Sequence, residues 1–351
     1  MYDIILAFIT SFLLTYLAIP SIIYIAIKKN LVDEPDERRS HNVSTPSLGG
    51  IGIFAGMLFS IIMWTPFNYF GDLQYILCAF IIIFLIGARD DIDPMSPSKK
   101  FAGELCAAAI LVFKANIKLT SLYGIFGIFD LPEWASVIFS IFTIIVIINA
   151  FNLIDGINGL SGSLGVLITS SLGYWFYLVD SIELSIVAFA LCGSVVAFLR
   201  YNFTPARIFM GDTGSLLLGM VCAILAIQFI ELHNEIPGSP YTFKAAPSMA
   251  VAILILPLFD TLRVFFIRLM KRKSPFHPDR LHIHHLLIDI GLSHTQATLL
   301  LFVTNILFIL LAMRLQHIGN LALLLVLLVS AIILSFLASR LAKNRKLNLT
   351  P

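Results

Sequence analysis

The recurrence of long apolar runs constrains this chain more than any other feature. Eleven stretches, at 2–26, 48–65, 73–88, 101–116, 134–151, 160–178, 182–199, 214–231, 246–268, 295–313 and 319–339, are almost wholly apolar. Their lengths cluster near the ~20 residues that carry a helix through a hydrocarbon core. Lipid offers backbone N–H and C=O groups no partners, so runs of this length without strand-like alternation predict spanning helices. With 58% hydrophobic and 13% charged residues and a mean hydropathy of +0.93, the composition lies far from that of soluble globular domains. The expected fold is all-α: one polytopic membrane domain over 1–351 with about eleven transmembrane helices. No connection is long enough for a soluble domain, so function is expected at loops and helix ends.

The cysteines Cys78, Cys106, Cys192 and Cys222 fall inside apolar runs without a CxxC pair and read as small core fillers. The opening MYDIILAFITSFLL lacks a basic n-region, which predicts a retained first span rather than a cleaved signal peptide. Short cytoplasmic loops carry an excess of Lys and Arg. One alternating set of connections holds nearly all of them, whereas the other holds only Lys114, Lys118, Lys244 and Arg314. This predicts an N-terminus outside and a C-terminus in the cytoplasm.

The unusual polar segments all fall on the predicted cytoplasmic side: DEPDERRSHNVSTPSLGG (33–50), ARDDIDPMSPSKK (88–100), NAFNLIDGINGL (149–160), RYNFTPARIFMGDTGS (200–215) and HPDRLHIHHLL (277–287). Their shared side implies one cleft built from five loops. Asp90, Asp91 and Asp93 crowd like charges at a helix end, followed by Lys99 and Lys100. A divalent cation held with substrate phosphates explains this, and so does a solvated helix end. In FMGDTGS, Asp212 between Gly211 and Gly214 is either a metal ligand beside a helix N-terminus or simply its N-cap. Asn149, Asn152, Asp155 and Asn158 recur at three-residue spacing, suited to a base or sugar if helical, or to polar contact between helices. Gly156, Gly159 and Gly162 permit close backbone approach. His282, His284 and His285 lack the company of a zinc site and, beside Arg280, Arg272 and Lys271, suit a diphosphate or sugar. His233, His294 and His317 read as ordinary boundary residues. Gly52 and Gly56 have small-xxx-small spacing, which predicts close helix packing.

In this order, DD, NAFNLIDGINGL, FMGDTGS and HIHH resemble the polyprenyl-phosphate N-acetylhexosaminyl-1-phosphate transferases (glycosyltransferase family 4), over about residues 28–290. Asn42, where the phospho-MurNAc-pentapeptide branch has lysine, and HIHH in place of that branch's HHH favour the WecA-like branch. The resemblance implies transfer of a sugar 1-phosphate from a UDP-N-acetylhexosamine, N-acetylglucosamine for choice, to undecaprenyl phosphate, with release of UMP. It also implies Mg2+, with Mn2+ as a substitute, a bacterial inner-membrane location with a cytoplasmic site, and a role in cell-envelope polysaccharide synthesis.

By position, the resemblance makes Asp90 and Asp91 the catalytic aspartate pair, with His284 also catalytic, and Asp212 with Asp91 the metal ligands. Phe209 is expected to stack on uracil. Asn152, Asp155, Gly156, Asn158, Asn202, His282, His285, Arg280 and Lys99 are expected at the substrate. Asn158 departs from the Asp of many bacterial relatives. A homodimer is among the expected partners and nucleic acid is not. The alternatives are a pentapeptide transferase of peptidoglycan synthesis or, in another class, a transporter. A transporter would place ionisable groups near the bilayer midplane in related halves.

Overall fold

The computed structural model describes residues 1–32, 44–71, 73–272 and 280–349. Among them are thirteen α-helices: α1 (Tyr2–Lys28), α2 (Gly49–Trp64), α3 (Leu73–Ile92), α4 (Pro97–Phe113), α5 (Glu133–Ile154), α6 (Leu160–Leu178), α7 (Ile182–Asn202), α8 (Gly211–Glu235), α9 (Ala246–Ile253), α10 (Ile255–Met270), α11 (Ile283–Asp289), α12 (His294–Leu315) and α13 (Asn320–Leu349). Every apolar run falls on a helix, with 246–268 shared between α9 and α10. Taken singly, α1, α5, α7, α8, α12 and α13 contain segments long and apolar enough to cross a membrane, and counting the broken pair gives seven spans. The sequence count of eleven also takes in α2, α3, α4 and α6, of which α3 and α6 have 20 and 19 residues and the other two are shorter. Helices α2 and α4 have 16 and 17 residues, about 24–26 Å of rise against a hydrocarbon core of about 30 Å.

Helices α7 and α8 form the centre: 78% of the apolar window of each is buried, against 28% in α1 and 22% in α13. Small residues let α8 take that place. A Cβ on Gly219 would lie 2.7 Å from the Ile148 Cα of α5. Gly52 and Gly56 of α2 pack on α1 as their spacing predicts, since a Cβ on Gly56 would meet Thr15 Oγ1 at 2.2 Å. Cys192 and Cys222 are buried, but Cys78 and Cys106 lie on the outer surface. Lipid is as apolar as a core, so an apolar run does not tell which of its faces turns inward.

Helices α9 and α10 meet at an 80° bend. Pro257 has no N–H to give the Ile253 carbonyl one turn earlier. Asn305 Nδ2 of α12 donates to that carbonyl instead, at 3.0 Å, which is how irregular backbone is tolerated inside a bundle. Between α4 and α5 the chain forms an unforeseen antiparallel hairpin of β1 (Ser121–Ile125) and β2 (Ile128–Asp130), with Ser121 opposite Asp130.

The end of the bundle that carries the polar motifs is closed by two helices seated on the first turn of α8. A Cβ on Gly50 of α2 would lie 2.1 Å from Gly214 N, and one on Gly87 of α3 2.4 Å from the Thr213 Cα. Both obstacles are backbone and cannot rotate away. Gly50→Ala and Gly87→Ala are each expected to cost about 1–3 kcal/mol through overpacking, read as earlier thermal unfolding in detergent. Gly71, with open space at its Cβ, is the control, and equal midpoints for Gly50→Ala and Gly71→Ala would contradict this packing.

Candidate active site

The site begins at the N-terminus of α8, whose first N–H groups have no partners within the helix. Asp91, at the C-terminal end of α3, supplies them. Its Oδ1 accepts from Asp212 N at 2.7 Å, and its Oδ2 accepts from Thr213 N at 3.0 Å and Thr213 Oγ1 at 2.5 Å. A carboxylate here also meets the positive end of the helix dipole. Gly211 opens the helix at φ +71°, and a Cβ there would sit 2.0 Å from Ser47 O. The approach to this turn is fixed by a backbone ladder, with Phe209 N donating to Pro46 O at 2.7 Å, Gly49 N to Phe209 O at 3.0 Å and Gly50 N to Met210 O at 2.9 Å.

Because Asp91 caps the helix, Asp212 does not. The N-cap reading of Asp212 is corrected, and Asp91 is a half-buried carboxyl at the cavity whose two oxygens both accept from the first turn of α8. Asp212 instead turns to the side chains around it: Lys100 Nζ donates to its Oδ2 and Asn152 Nδ2 to its Oδ1, at 2.8 Å for Asn152. Asn152 also reaches Ser215 Oγ at 3.0 Å. Lys100 Nζ lies 3.3 Å from Asp90 Oδ2, so one ammonium joins both carboxylates. Asp90 is fixed from the other side by Met95 N at 2.6 Å. Asn149, one turn before Asn152, gives its amide to Glu104 Oε2 at 2.6 Å. Glu104 is only 1% exposed.

The segment 155–159 is a turn between α5 and α6 rather than a helix. Asp155 accepts from the Ser161 hydroxyl. Burial pushes its carboxyl from the ordinary 3.8 up to about 6, against the lowering effect of Ser161. Asn202 is buried and engaged with backbone on both sides, accepting from Gly159 N at 2.7 Å and donating to Ile208 O at 2.9 Å. It ties the 155–159 turn to the loop that carries Phe209. Asn158 donates to Thr204 Oγ1 at 3.2 Å, and its backbone N lies 3.4 Å from His294 Nδ1. His294 is therefore part of the site's support, contrary to its reading as an ordinary boundary residue.

Of the histidines, His282 and His284 are buried, and His285 lines the cavity. His284 packs on Gly156, where a Cβ would meet its Nε2 at 2.2 Å, so that glycine accommodates a protein ring. Both ring nitrogens of His284 are buried without a hydrogen-bond partner. Burial, reinforced by neighbouring His285, holds His284 well below the ordinary imidazole range, and burial followed by Arg280 pushes His285 down to about 4. Both rings are neutral at neutral pH.

These groups surround a cavity of about 440 Å³ lined by Asp90, Asp91, Asn152, Asp155, Gly156, Asn158, Asn202, Phe209, Asp212 and His285, among others. Asp90, Asp91, Asp155 and Asp212 thus meet at one end of the bundle. Lys99 is exposed and outside the lining; its neighbour Lys100 makes the contacts. Arg280 sits 4.0 Å from Asp289, away from the lining, and Asp93 pairs with Arg89 at the surface. Asn42 lies outside the described residues. No group of three or more His, Cys, Asp or Glu side chains able to hold a metal occurs among the described residues. The donors that do converge, two carboxylates and an amide, are hard oxygen groups of the kind that bind Mg2+ together with substrate phosphates and water.

Comparison with known proteins now bears on this geometry. Residues 73–230 match the model of glycosyl transferase family 4. A probable undecaprenyl-phosphate N-acetylglucosaminyl 1-phosphate transferase of Bacillus subtilis is 31% identical over 318 residues, covering 88% of this chain and 84% of that protein. The undecaprenyl-phosphate alpha-N-acetylglucosaminyl 1-phosphate transferase of Pasteurella multocida is 34% identical over 303 residues, covering 84% and 82%. A decaprenyl-phosphate N-acetylglucosaminephosphotransferase of Mycolicibacterium smegmatis is 28% identical over 315 residues, covering 84% and 77%. The chain belongs to glycosyl transferase family 4.

The matched segment of this family member contains the aspartate pair, the 155–159 turn, Phe209 and Asp212, and stops before the histidine segment. Asp155 gives a direct check on how enclosed that turn is. Between about 4 and 6 the folded protein holds a proton that the unfolded chain has released. The contribution of Asp155 to stability is therefore fully present below about 4 and is lost as pH rises through 6. Across this window wild type is expected to lose thermal stability relative to Asp155→Asn. Parallel profiles would show that the Asp155 carboxyl is not so enclosed.

Proposed function

We propose that this protein transfers a sugar 1-phosphate, N-acetylglucosamine 1-phosphate for choice, from a UDP-sugar to a polyprenyl phosphate such as undecaprenyl phosphate. The observation that carries the reading is one cavity lined by Asp90, Asp212 and Phe209, with the Lys100 ammonium bridging the two carboxylates from beside the lining. The relatives' names, each a polyprenyl-phosphate N-acetylglucosamine phosphotransferase, supply the substrate class. The site end is taken to face the cytoplasm of a bacterial inner membrane, as the loop charges suggest, and the product to feed cell-envelope polysaccharide.

In this reading a phosphate oxygen of the lipid attacks the sugar-bearing phosphorus of the nucleotide sugar. A new P–O bond forms there, the bond to the UMP oxygen breaks, and UMP leaves with the electron pair. A phosphate monoester has a second pKa of about 6, so the acceptor is largely dianionic near neutrality and needs no strong base. The difficulty is the approach of two anions. Lys100 offers positive charge to the phosphates, and Asn152, itself bonded to Ser215, holds Asp212 in place. Asp91 keeps the first turn of α8, with its polar N–H groups, at the cavity wall. Phe209 offers an aromatic face to uracil. When bound, Mg2+ would be held by Asp212 and Asp90 and would neutralise phosphate charge.

Purified protein with Mg2+, undecaprenyl phosphate and UDP-N-acetylglucosamine is expected to release UMP only when lipid and metal are both present. Lys100→Ala is expected to lose about two to three orders of magnitude of turnover, the scale of removing one charge-stabilising group. Lys99→Ala should stay near wild type. Equal losses in the two lysine variants would remove the role given to Lys100, and solute uptake into vesicles without UMP release would replace the transferase by a transporter.

A further inference from the structure

Two charged residues inside the apolar α10 hold the histidine segment. Asp260, 2% exposed, accepts from Ile283 N at 2.9 Å through Oδ1, and its Oδ2 lies 2.8 Å from His282 Nδ1. Arg263, one turn further along, donates to Leu281 O at 2.7 Å and stands 3.8 Å from Asp260 Oδ1. A single turn of α10 thus grips three consecutive residues, by a carbonyl, a ring nitrogen and an amide. Its second guanidinium contact is Ser339 Oγ of α13 at 3.4 Å.

Charged side chains on an apolar helix are costly unless each is paired and hydrogen-bonded, and these two direct most of their bonds to the entry of α11. A carboxylate with a guanidinium beside it accepts hydrogen bonds and donates none. The His282 nitrogen that faces it must therefore carry the hydrogen, which leaves Nε2 as the nitrogen turned away from Asp260. The orientation passes on by stacking. The His282 and His284 rings are 5.6 Å apart and 8° from parallel, and His284 packs on Gly156 at the cavity.

We infer that Asp260 is a positioning residue of the transfer reaction: by holding hydrogen on His282 Nδ1 and clamping Ile283 N, it sets the histidine stack behind the cavity. Its effect on turnover rests on the transferase reading above, whereas its effect on the ring rests on geometry alone. Asp260→Asn separates positioning from bulk stability. The amide oxygen still accepts from Ile283 N, while the amide N–H turns toward Nδ1 and drives the hydrogen to Nε2.

The test is a ¹⁵N–¹H correlation spectrum of the full-length protein labelled at histidine, with His282→Gln identifying the signal. In wild type the hydrogen is expected on Nδ1, and in Asp260→Asn it is expected on Nε2 with Nδ1 bare. The variant should also lose about ten- to a hundredfold in kcat, the usual cost of removing an outer partner of a functional histidine, with KM for the nucleotide sugar little changed. Hydrogen retained on Nδ1 in the variant, or turnover within about twofold of wild type despite the reversal, overturns the inference. If the variant does not fold, the wild-type spectrum still decides, because a bare Nδ1 there refutes the assignment. A wild type that releases no UMP refutes the proposed reaction and leaves the ring measurement to judge Asp260.

Discussion

The carboxylate of Asp91 on the first N–H groups of α8 is the interaction on which the rest of this structure depends. It joins the end of α3 to the beginning of one of the two most enclosed helices, at the point where Gly50 and Gly87 bring the backbones of α2 and α3 against it. With that turn fixed, Asp212 emerges on the cavity side, Phe209 is held by the ladder to Pro46 and Gly49, and Ser215 faces Asn152. Without it, the first turn of α8 would present unpaired donors in a bundle where little else can satisfy them. The capping role and the site are thus one arrangement.

The second constraint is charge. Four carboxylates meet around one cavity, and the protein offsets them locally. Asp91 gives both its oxygens to the N–H groups of a helix end, and Asp90 and Asp212 share Lys100. Asp155 responds to burial by holding its proton more tightly. Burial, with Arg280 adding to it, holds the His284 and His285 imidazoles below their ordinary range. A site arranged in this way does not carry a large fixed positive charge. In the proposed reaction, where two phosphates would arrive with a cation, such a site avoids attraction strong enough to trap the products.

Much of this was legible in the sequence, and the failures have identifiable causes. The apolar runs located the helices, and the clustering of polar motifs located the cavity, because both follow from solvation alone. The cap of α8 was not legible in FMGDTGS: it comes from Asp91, far away in sequence, which no local pattern can express. Lys99 and Lys100 differ by one position, about 100° around a helix, and only the helix start at Pro97 decides which one faces Asp212. Glu104, Asp260 and Arg263 were passed over because they sit inside apolar runs. Yet a charge there is itself a signal, since membranes tolerate it only with a partner. Arg263 is also the one basic residue that falls in neither of the two loop sets. The bend between α9 and α10 had its sign in Pro257, but the amide of Asn305 that makes it tolerable lies on another helix.

Amide hydrogen exchange across 209–216 tests the central claim most directly. In wild type the Asp212 and Thr213 amides are expected to exchange slowly, and in Asp91→Ala at least about tenfold faster, with the middle of α8 unchanged, because a lost cap opens only the first turn. Fast exchange at these two amides in wild type, or the same slow exchange in both proteins, would contradict the view that Asp91 holds the site together.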